Sequence, residues 1–255
     1  MSLFSSLTAY DIKHLEPPFW WTGMVDSKLQ LMVHGKNISD LKPEINHKDI
    51  EIKQIHRLEN KNYLLIDLLL NNAKPGNFEI LFKRSGKIEV KYNYDLLDRK
   101  PGSMERNGFD PSDVIYLITP DRYANGDPYN DTIDGLKEGF DRNKNRGRHG
   151  GDIQGIIDHL DYIKDMGFTQ LWINPLLEND QEIYSYHGYS TTDYYKIDPR
   201  FGSNDLYRSL SKIAQESGIG IIMDLILNHI CSEHWWMYDL PSIDWINHDG
   251  KFVQT

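Results

Sequence analysis

A short apolar run that leads into three polar side chains is the most informative segment of this chain. Residues 219–229 open with isoleucines, and Asp224, Asn228 and His229 follow where the run ends. A run of this kind is typical of a strand buried on both faces, as in a parallel sheet. In a (β/α)8 barrel, such strand ends carry the catalytic residues. The segment therefore predicts a functional site, and a buried strand followed by a polar loop is the alternative.

A second group of residues has the composition of a cation-binding loop. Four oxygen-bearing side chains lie within seven positions around a glycine and a proline: Asn125, Asp127, Asn130 and Asp131. Calcium takes roughly six to eight oxygens from carboxylates, amides and carbonyls on a flexible loop. Residues 149–152, which include Asp152, could complete such a shell. The same residue types also build ordinary surface turns, so the composition leaves both interpretations open.

An aromatic segment supplies a third candidate site. Tyr186, His187, Gly188 and Tyr189 follow one another in the chain. A tyrosine ring can stack on the apolar face of a sugar, an imidazole can donate to a hydroxyl, and a glycine lets the backbone approach closely. A buried aromatic turn with a hydrogen-bonded histidine is the alternative interpretation.

The elements that would position these residues begin with a strand-rich N-terminal part. Short runs at strand spacing, separated by turn residues, favour an antiparallel sandwich. A hairpin turn is predicted at Ser85 and Gly86. The predicted strands are 29–33, 50–55, 63–70, 77–82 and 87–92.

After Pro101 and Gly102 the pattern changes to alternating strands and helices, which is the signature of a parallel α/β fold. The predicted strands are 114–119, 169–173 and 219–225, and the predicted helices are 153–166 and 206–214. A closed barrel needs more units than these, so we expect either the first part of a barrel or a smaller α/β fold. We divide the chain into a sandwich at 1–105 and the start of a barrel at 106–255.

Composition narrows the function classes. The 255 residues carry a formal net charge of −10 without a long basic block, which argues against nucleic acid as a partner. No apolar run approaches the roughly 18 residues of a membrane helix. Cys231 is the single cysteine, so we predict a packing role for it. No cluster of cysteines and histidines occurs in the sequence, so we expect no zinc site. The N-terminus lacks the features of a secretion signal, which leaves a cytoplasmic or a periplasmic location open.

Taken together, these segments resemble the α-amylase family of glycoside hydrolases. Asp224, Asn228 and His229 match that family's first signature region, and residues 186–189 and 197–202 add to the match. Over nearly the whole chain, the sequence is similar to the branch of cyclomaltodextrinases and neopullulanases. The segments that carry this similarity are 16–21, 31–35, 150–155, 158–162, 168–172, 184–188 and 234–237.

The resemblance implies an immunoglobulin-like antiparallel sandwich followed by the first part of a (β/α)8 barrel. It also implies retaining hydrolysis of α-1,4-glucosidic bonds in cyclodextrins and maltodextrins, and a homo-oligomer formed through the N-terminal domain. The nucleophile and the acid/base are expected beyond Thr255, so we expect this chain alone to be inactive. A non-catalytic carbohydrate-binding or assembly protein with an amylase-like fold is the main alternative. An unrelated α/β hydrolase lacks support, since no G-x-S-x-G motif occurs.

The resemblance further implies a role for each candidate residue. Tyr189 would stack on the sugar where cleavage occurs, and His187 would line the same subsite. Asp224 would position an arginine beside the nucleophile, His229 would hydrogen-bond the bound glucosyl unit, and Asn228 would support the loop. The implied calcium ligands are Asn125, Asp127, Asn130, Asp131, the carbonyl of Gly150, and Asp152.

Overall fold

The chain folds as two compact units. The computed structural model describes residues 10–106, 108–251 and 253, with the side chain of residue 249 left out. Residues 1–9, most of the N-terminus in which we find no secretion signal, lie outside this range. One unit comprises Met1–Arg106 and Asp239–Thr255, and the other comprises Asn107–Tyr238. The final segment, which the sequence-based division places with the barrel, therefore groups with the first unit by its contacts.

The first unit is a sandwich of two four-stranded sheets, with strand orders β1-β3-β6-β5 and β2-β8-β7-β4. Its strands are β1 His14–Glu16, β2 Phe19–Trp21, β3 Lys28–His34, β4 Lys42–Ile45, β5 Ile50–Arg57, β6 Tyr63–Leu70, β7 Gly76–Arg84 and β8 Lys87–Leu97. Short 3-10 helices lie at Ile38–Asp40, Ile243–Trp245 and Asn247–Gly250. Every strand pair is antiparallel except β2 with β8, which run parallel.

The core of the sandwich comes from strand residues that alternate between the two faces of a sheet. On β7, Phe78, Ile80 and Phe82 are buried, whereas the residues between them are more exposed. Each fully buried side chain of this kind contributes about 1.5–3 kcal/mol to the free energy of folding. The predicted β7–β8 hairpin is present, with φ of 48° at Ser85 and 80° at Gly86. Both values suit a two-residue turn whose twist matches that of the strands.

Asp239 is held within the first unit by side chains of the sandwich. Its Oδ2 lies 2.9 Å from His34 Nε2 and accepts a hydrogen bond from Asn62 Nδ2 over 2.8 Å. Its Oδ1 accepts from Asn60 Nδ2 over 2.5 Å, and its carbonyl accepts from the hydroxyl of Tyr63. Burial by itself would raise the pKa of Asp239, but the hydrogen bonds from these side chains outweigh burial and lower it.

The second unit contains a parallel sheet of three strands in the order β13-β10-β9. Its strands are β9 Ile115–Ile118, β10 Gln170–Ile173, β11 Leu177–Glu178, β12 Asp193–Ile197 and β13 Gly220–Met223. Its helices are α1 Ile153–Asp158, α2 Leu160–Asp165 and α3 Asn204–Glu216, with 3-10 helices at Pro120–Arg122, Pro128–Asn130, Ser185–His187 and Trp235–Tyr238. β11 and β12 form a separate antiparallel pair. The alternation of parallel strands and helices agrees with the first units of a barrel.

The two faces of the parallel sheet differ in burial. Ile118, Leu171 and Ile173 belong to the core that the sheet shares with its helices. On the opposite face, Leu117 is 54% exposed and Trp172 is 42% exposed. In a closed (β/α)8 barrel, the second face would form the interior.

The helices differ in one respect from the sequence-based prediction. The single helix predicted at 153–166 is broken at His159, which has φ of −117° and ψ of 14°. The His159 ring nitrogen Nδ1 lies 2.8 Å from the carbonyl of Gly155 and so engages the helix backbone locally. α3 begins at Asn204, two residues before the predicted start, because Ser203 Oγ accepts from Leu206 N over 3.1 Å. It is followed by Gly218 with φ of 79°.

Candidate functional site

Asp224 lies directly after β13, at the carboxyl end of the parallel sheet, and accepts two hydrogen bonds on one oxygen. The hydroxyl of Tyr189 donates to Asp224 Oδ2 over 2.9 Å. The indole Nε1–H of Trp172, on the neighbouring strand β10, donates to the same oxygen over 3.2 Å. The structure therefore joins two of the predicted residues, Tyr189 and Asp224, and adds a tryptophan that the sequence did not identify as a site residue.

Tyr189 remains a hydrogen-bond donor at neutral pH. Burial, the hydrogen bond to Asp224 and the charge of that carboxylate raise the pKa of the Tyr189 hydroxyl to about 12. The backbone N–H of Tyr189 donates to Nδ1 of His187 over 2.9 Å, which assigns the proton of a neutral ring to Nε2. Burial lowers the pKa of His187, in agreement with a neutral ring at pH 7.

Gly188 fixes the backbone between these two residues. Its φ is 79°, and a Cβ at this position would lie 2.0 Å from the carbonyl oxygen of Pro175. Any other residue would meet both an unfavourable φ and a backbone clash. The close approach to Pro175 therefore explains why a glycine separates His187 from Tyr189.

The loop after β13 brings Asn228 and His229 into the same network. Nε2–H of His229 donates to the carbonyl of Tyr189 over 2.9 Å, and Asn228 Nδ2 lies 3.4 Å from His229 Nδ1. The hydroxyl of Tyr194 lies 2.9 Å from the carbonyl of Ile226 and 3.0 Å from that of His229, which anchors the loop. These contacts connect all five predicted residues: His187, Tyr189, Asp224, Asn228 and His229.

The connected residues combine several binding chemistries. His187, Tyr189 and Asp224 are half-buried, whereas Asn228 and His229 are exposed. Together they offer an aromatic surface, a carboxylate, and both hydrogen-bond donors and hydrogen-bond acceptors. A few convergent polar groups beside aromatic rings are typical of a small-molecule site and suit a sugar, which has apolar ring faces and hydroxyl edges.

Asp152 is the centre of the second predicted site and is completely buried. Its carboxylate caps α1 by accepting from Gly155 N over 2.6 Å. It also accepts from the backbone N–H groups of Gly126, over 3.1 Å, and Asp127, over 2.8 Å. The side-chain Nδ2 of Asn130 lies 3.3 Å away as a further donor. Asp152 therefore connects residues 125–131, the acidic loop, to the start of α1.

Two buried amide oxygens in this loop, Asn125 Oδ1 and Asn130 Oδ1, have no hydrogen-bond donor among the described residues. Asn125 uses its Nδ2 to donate to Asp131 Oδ1 over 2.8 Å. Gly150 has φ of 84°, and a Cβ there would lie 2.3 Å from Asp131 Oδ1. A side chain at position 150 would therefore clash with the carboxylate of Asp131 and, at 2.7 Å, with Asn125 Nδ2.

The loop at residues 125–131 holds a carboxylate with a raised pKa, Asp131. Burial is the largest influence and raises the pKa of Asp131. The hydrogen bond from Asn125 and the positive charge of Arg142 lower it, the charges of Asp152 and Asp121 raise it again, and the net shift is upward. Buried amide oxygens without donors beside carboxylates suit a hard cation with oxygen ligands. In the described part of the chain, no group of three or more His, Cys, Asp or Glu side chains is arranged to hold a metal. The three aspartates of the predicted set, Asp127, Asp131 and Asp152, therefore do not converge as such a group in this structure.

A buried charge network that the sequence did not reveal lies between the two sites. Arg200 binds Asp198 through two parallel hydrogen bonds of 2.9 and 2.7 Å, and both side chains are fully buried. Arg148, also buried, lies with Nη1 4.0 Å from Asp198 Oδ2 and with Nε 3.9 Å from Asp121 Oδ1. Burial lowers the pKa of Arg148, and the neighbouring carboxylates oppose that shift.

This network contacts the segments that carry both candidate sites. Asp121 accepts from the backbone N–H groups of His149 and Gly150, in the predicted calcium loop. Arg148 Nη1 donates to Ser185 Oγ over 3.1 Å, at the start of the turn that leads to His187. The sequence motif at 197–202 contributed to the family resemblance, but nothing in its pattern indicated that its charges would be buried.

Comparison with known proteins identifies the family. The model for the α-amylase catalytic domain matches residues 117–248, and the model for the cyclomaltodextrinase N-terminal domain matches residues 14–100. The chain belongs to the α-amylase family. The predicted fold, an immunoglobulin-like sandwich followed by the first part of a (β/α)8 barrel, is thereby confirmed, with one parallel strand pair within the sandwich.

Several relatives of this α-amylase family chain carry names from the predicted branch. It is 39% identical over 116 residues to a cyclomaltodextrinase from Thermoanaerobacter pseudethanolicus. The aligned region covers 46% of this chain and 19% of that protein. It is 41% identical over 119 residues to neopullulanase 2 from Thermoactinomyces vulgaris, with coverage of 46% and 19%. A β/α-amylase from Paenibacillus polymyxa is 39% identical over 143 residues, with coverage of 54% and 12%. The chain thus spans a fifth or less of the length of these relatives.

Among solved structures, an α-amylase from Anoxybacillus is similar, with 42% identity and a TM-score of 0.45. The match covers 50% of this chain and 26% of that protein. Among the described residues, none of the helices combines the length and the apolar character that crossing a bilayer requires.

Proposed function

We propose that this chain forms the N-terminal part of an α-glucan hydrolase of the cyclomaltodextrinase type. The whole enzyme would cleave α-1,4-glucosidic bonds in cyclodextrins and maltodextrins with retention of configuration. The observation that carries the proposal is the network of Asp224, Tyr189 and His229 at the carboxyl end of the parallel strands. Relatives named cyclomaltodextrinase and neopullulanase support this substrate class.

In this proposal the connected residues form part of a sugar subsite. Tyr189 stacks its ring on a glucosyl unit, and its hydroxyl stays bound to Asp224. His187, neutral because burial lowers its pKa, lines the same subsite and can donate from Nε2. His229 hydrogen-bonds the bound glucosyl unit in exchange for one of its present partners, the carbonyl of Tyr189 at Nε2 or Asn228 at Nδ1. Asn228 supports the loop from which His229 projects.

The nucleophile and the acid/base are proposed to come from outside this chain. Retaining hydrolysis needs two carboxyl groups about 5–5.5 Å apart. Asp224 is engaged by Tyr189 and Trp172, which suits a carboxylate that orients an arginine beside the nucleophile. The exposed apolar face of the parallel sheet, with Leu117 and Trp172, supports the addition of further barrel strands.

We also propose that the acidic loop binds calcium in a structural role. The ligands would be Asn125, Asp127, Asn130, Asp131, the carbonyl of Gly150, and Asp152. The buried amide oxygens without donors support this set, because a cation would coordinate them. The raised pKa of Asp131 also supports it, because a cation would stabilise the charged carboxylate. Calcium would fix the loop between β9 and α1, and it takes no part in bond cleavage in this proposal.

A homo-oligomer formed through the sandwich is a further part of the proposal. Trp21 and Leu97 are neighbours on the paired strands β2 and β8, and both are partly exposed. Val25, in the turn that follows β2, is 93% exposed. An exposed apolar patch of this kind supports association. Light scattering on the native protein and on Val25→Asp tests it, and a monomeric native protein would contradict it.

The activity is tested on the protein that contains this chain, with α- and β-cyclodextrin and a linear maltodextrin as substrates. We expect cleavage with initial release of α-anomers, which proton NMR detects before mutarotation. Tyr189→Ala should raise KM at least about tenfold because the stacking surface is lost. Tyr162→Ala, at a tyrosine that is 58% exposed on α2, serves as the matched control and should leave KM unchanged. Saccharide binding without turnover would instead favour a non-catalytic carbohydrate-binding protein.

A further inference from the structure

The two donors on Asp224 hold its carboxylate in one orientation. Tyr189 and Trp172 both donate to Oδ2, over 2.9 and 3.2 Å. Neither donor reverses its role at neutral pH, because an indole N–H can only donate and the Tyr189 hydroxyl has a raised pKa. Rotation of the carboxylate would lose both hydrogen bonds at once. Oδ1 is therefore the oxygen that these two donors leave open for another partner.

Strand register explains how Trp172 reaches the end of the next strand. Trp172 pairs with Ile222 of β13, and Asp224 follows two residues later. Leu171 and Ile173, on either side of Trp172, are buried against the helices. Side chains alternate along a strand, so the indole lies on the opposite face of the sheet, where Trp172 is 42% exposed.

We propose that Trp172 is a positioning residue whose indole N–H, together with the Tyr189 hydroxyl, fixes the direction in which Asp224 presents its other oxygen to a cationic partner at the reaction centre. The proposal rests on the proposed function, because a carboxylate that merely closed a loop would need no defined orientation. Trp172 acts here through Asp224 and needs no contact with the sugar. Its contribution is the N–H group, and the ring shape alone cannot replace it.

The expected effect of losing this N–H falls mainly on kcat. When a hydrogen bond to a charged group at the reaction centre is lost, the rate is expected to fall about tenfold. Tyr189 keeps its ring and its own hydrogen bond to Asp224, so sugar binding should change little. We therefore expect kcat to fall about tenfold while KM changes less than about threefold.

The first experiment observes the hydrogen bond itself in the whole protein that carries this chain. Tryptophan labelled with 15N in the indole gives one Nε1–H signal per residue, and Trp172→Phe identifies the signal of Trp172. We expect this signal to move upfield in Asp224→Asn, because the neutral amide is a weaker acceptor. A signal that does not move would overturn the proposal without any use of activity.

The second experiment separates the N–H from the ring. Replacing Trp172 by 3-benzothienylalanine keeps the shape but puts sulfur where the N–H was, and Trp172→Phe removes both. Trp20→Phe is the matched control, since its buried Nε1–H has no acceptor among the described residues. We expect both changes at Trp172, but not Trp20→Phe, to lower kcat on maltodextrin about tenfold with a native melting temperature.

A double-mutant cycle with Tyr189→Phe completes the test. Because both donors share one oxygen, their effects on kcat should be non-additive, and the double variant should lose less than the product of the two single losses. Strictly additive losses, or full activity with benzothienylalanine, would overturn the role of Trp172 and leave the proposed function standing. A native protein without turnover on any maltodextrin would overturn the proposed function, and the role of Trp172 with it.

Discussion

At the scale of single residues, the candidate sugar site depends on a glycine as much as on its polar side chains. Gly188 has φ of 79°, and a Cβ there would lie 2.0 Å from the carbonyl oxygen of Pro175. Gly218 has the same φ of 79°, but a Cβ there would meet no atom within 4 Å. The two positions therefore share the left-handed φ, and Gly188, which is buried, has the clash in addition.

This pair allows the strain and the clash to be measured separately. We expect Gly218→Ala to lower the free energy of unfolding by about 1 kcal/mol, from φ alone. Gly188→Ala should lower it by about 2–4 kcal/mol, because the clash adds to the strain, and it should also weaken maltodextrin binding through Tyr189. Urea unfolding and a binding titration give both quantities. Equal losses of stability for the two variants would contradict the close approach to Pro175.

A second prediction at this scale concerns the buried charges. Asp198 and Arg200 are both fully buried and joined by two hydrogen bonds. Asp198→Asn would leave Arg200 buried without its counter-charge, so we expect a loss of about 3–5 kcal/mol in the free energy of unfolding. The control is Asp205→Asn, whose pair with Arg208 is exposed and should contribute less than about 1 kcal/mol. Similar losses from both variants in urea unfolding would refute the prediction.

The residues of the candidate sugar site could be proposed from the sequence because their chemistry is visible in it. Asp224 and His229 follow an apolar run, and a tyrosine–histidine pair stands out from its neighbours. Trp172 and Arg148 were missed for a physical reason. Trp172 lies inside a strand, where a tryptophan normally indicates core, and Arg148 lies in a basic, glycine-rich stretch typical of a surface loop. Only the pairing of strands and the folding of the loop show what these two side chains contact.

At the scale of elements, strands within a clear apolar run were predicted, including the short strands β9, β10 and β13, whereas β1, β2, β4, β11 and β12 were not. β6 matches its prediction at Tyr63–Leu70, and β7 and β8 extend the predicted hairpin. No alternating pattern predicted the strand β4, which contains Pro43. β4 is an edge strand, where a missing N–H costs no hydrogen bond between strands. The strands β11 and β12 owe their pairing to the loop around them, which no local pattern specifies.

The loop between β9 and α1 is the element on which a calcium prediction can be tested. We expect calcium to raise the melting temperature of the native protein and a chelator to reverse the effect, because the ion would satisfy the buried amide oxygens of Asn125 and Asn130. Asp131→Asn should weaken binding at least about tenfold in a calorimetric titration. Asp134→Asn, at an exposed aspartate in the same loop, is the control and should bind normally. If the melting temperature of the native protein does not change when calcium is added, the site is ruled out.

At the scale of the whole molecule, the first unit joins segments that are far apart in sequence. Asp239 bonds to Asn60 and Asn62, about 180 positions earlier, at 2.5 and 2.8 Å. No periodicity or motif marks such a contact, because it depends on a single carboxylate that meets amide groups of a β-turn region. A division of the chain by sequence pattern therefore ends the sandwich at 105, whereas the contacts add Asp239–Thr255 to the same unit.

This contact predicts a specific dependence of stability on pH. The pKa of Asp239 is lowered in the folded protein, where the hydrogen bonds from His34, Asn62 and Asn60 outweigh the effect of burial. Stability from a lowered pKa is fully present above the ordinary aspartate value of 3.8 and is lost as the pH falls through the folded value. Urea unfolding should therefore show the native protein more stable than Asp239→Asn at pH 5–6, and this difference in stability should shrink below pH 4.

Asp40→Asn, at an exposed aspartate of the sandwich, is the control. An advantage over Asp239→Asn that stayed constant down to pH 3 would show that the charge of Asp239 does not hold the segment.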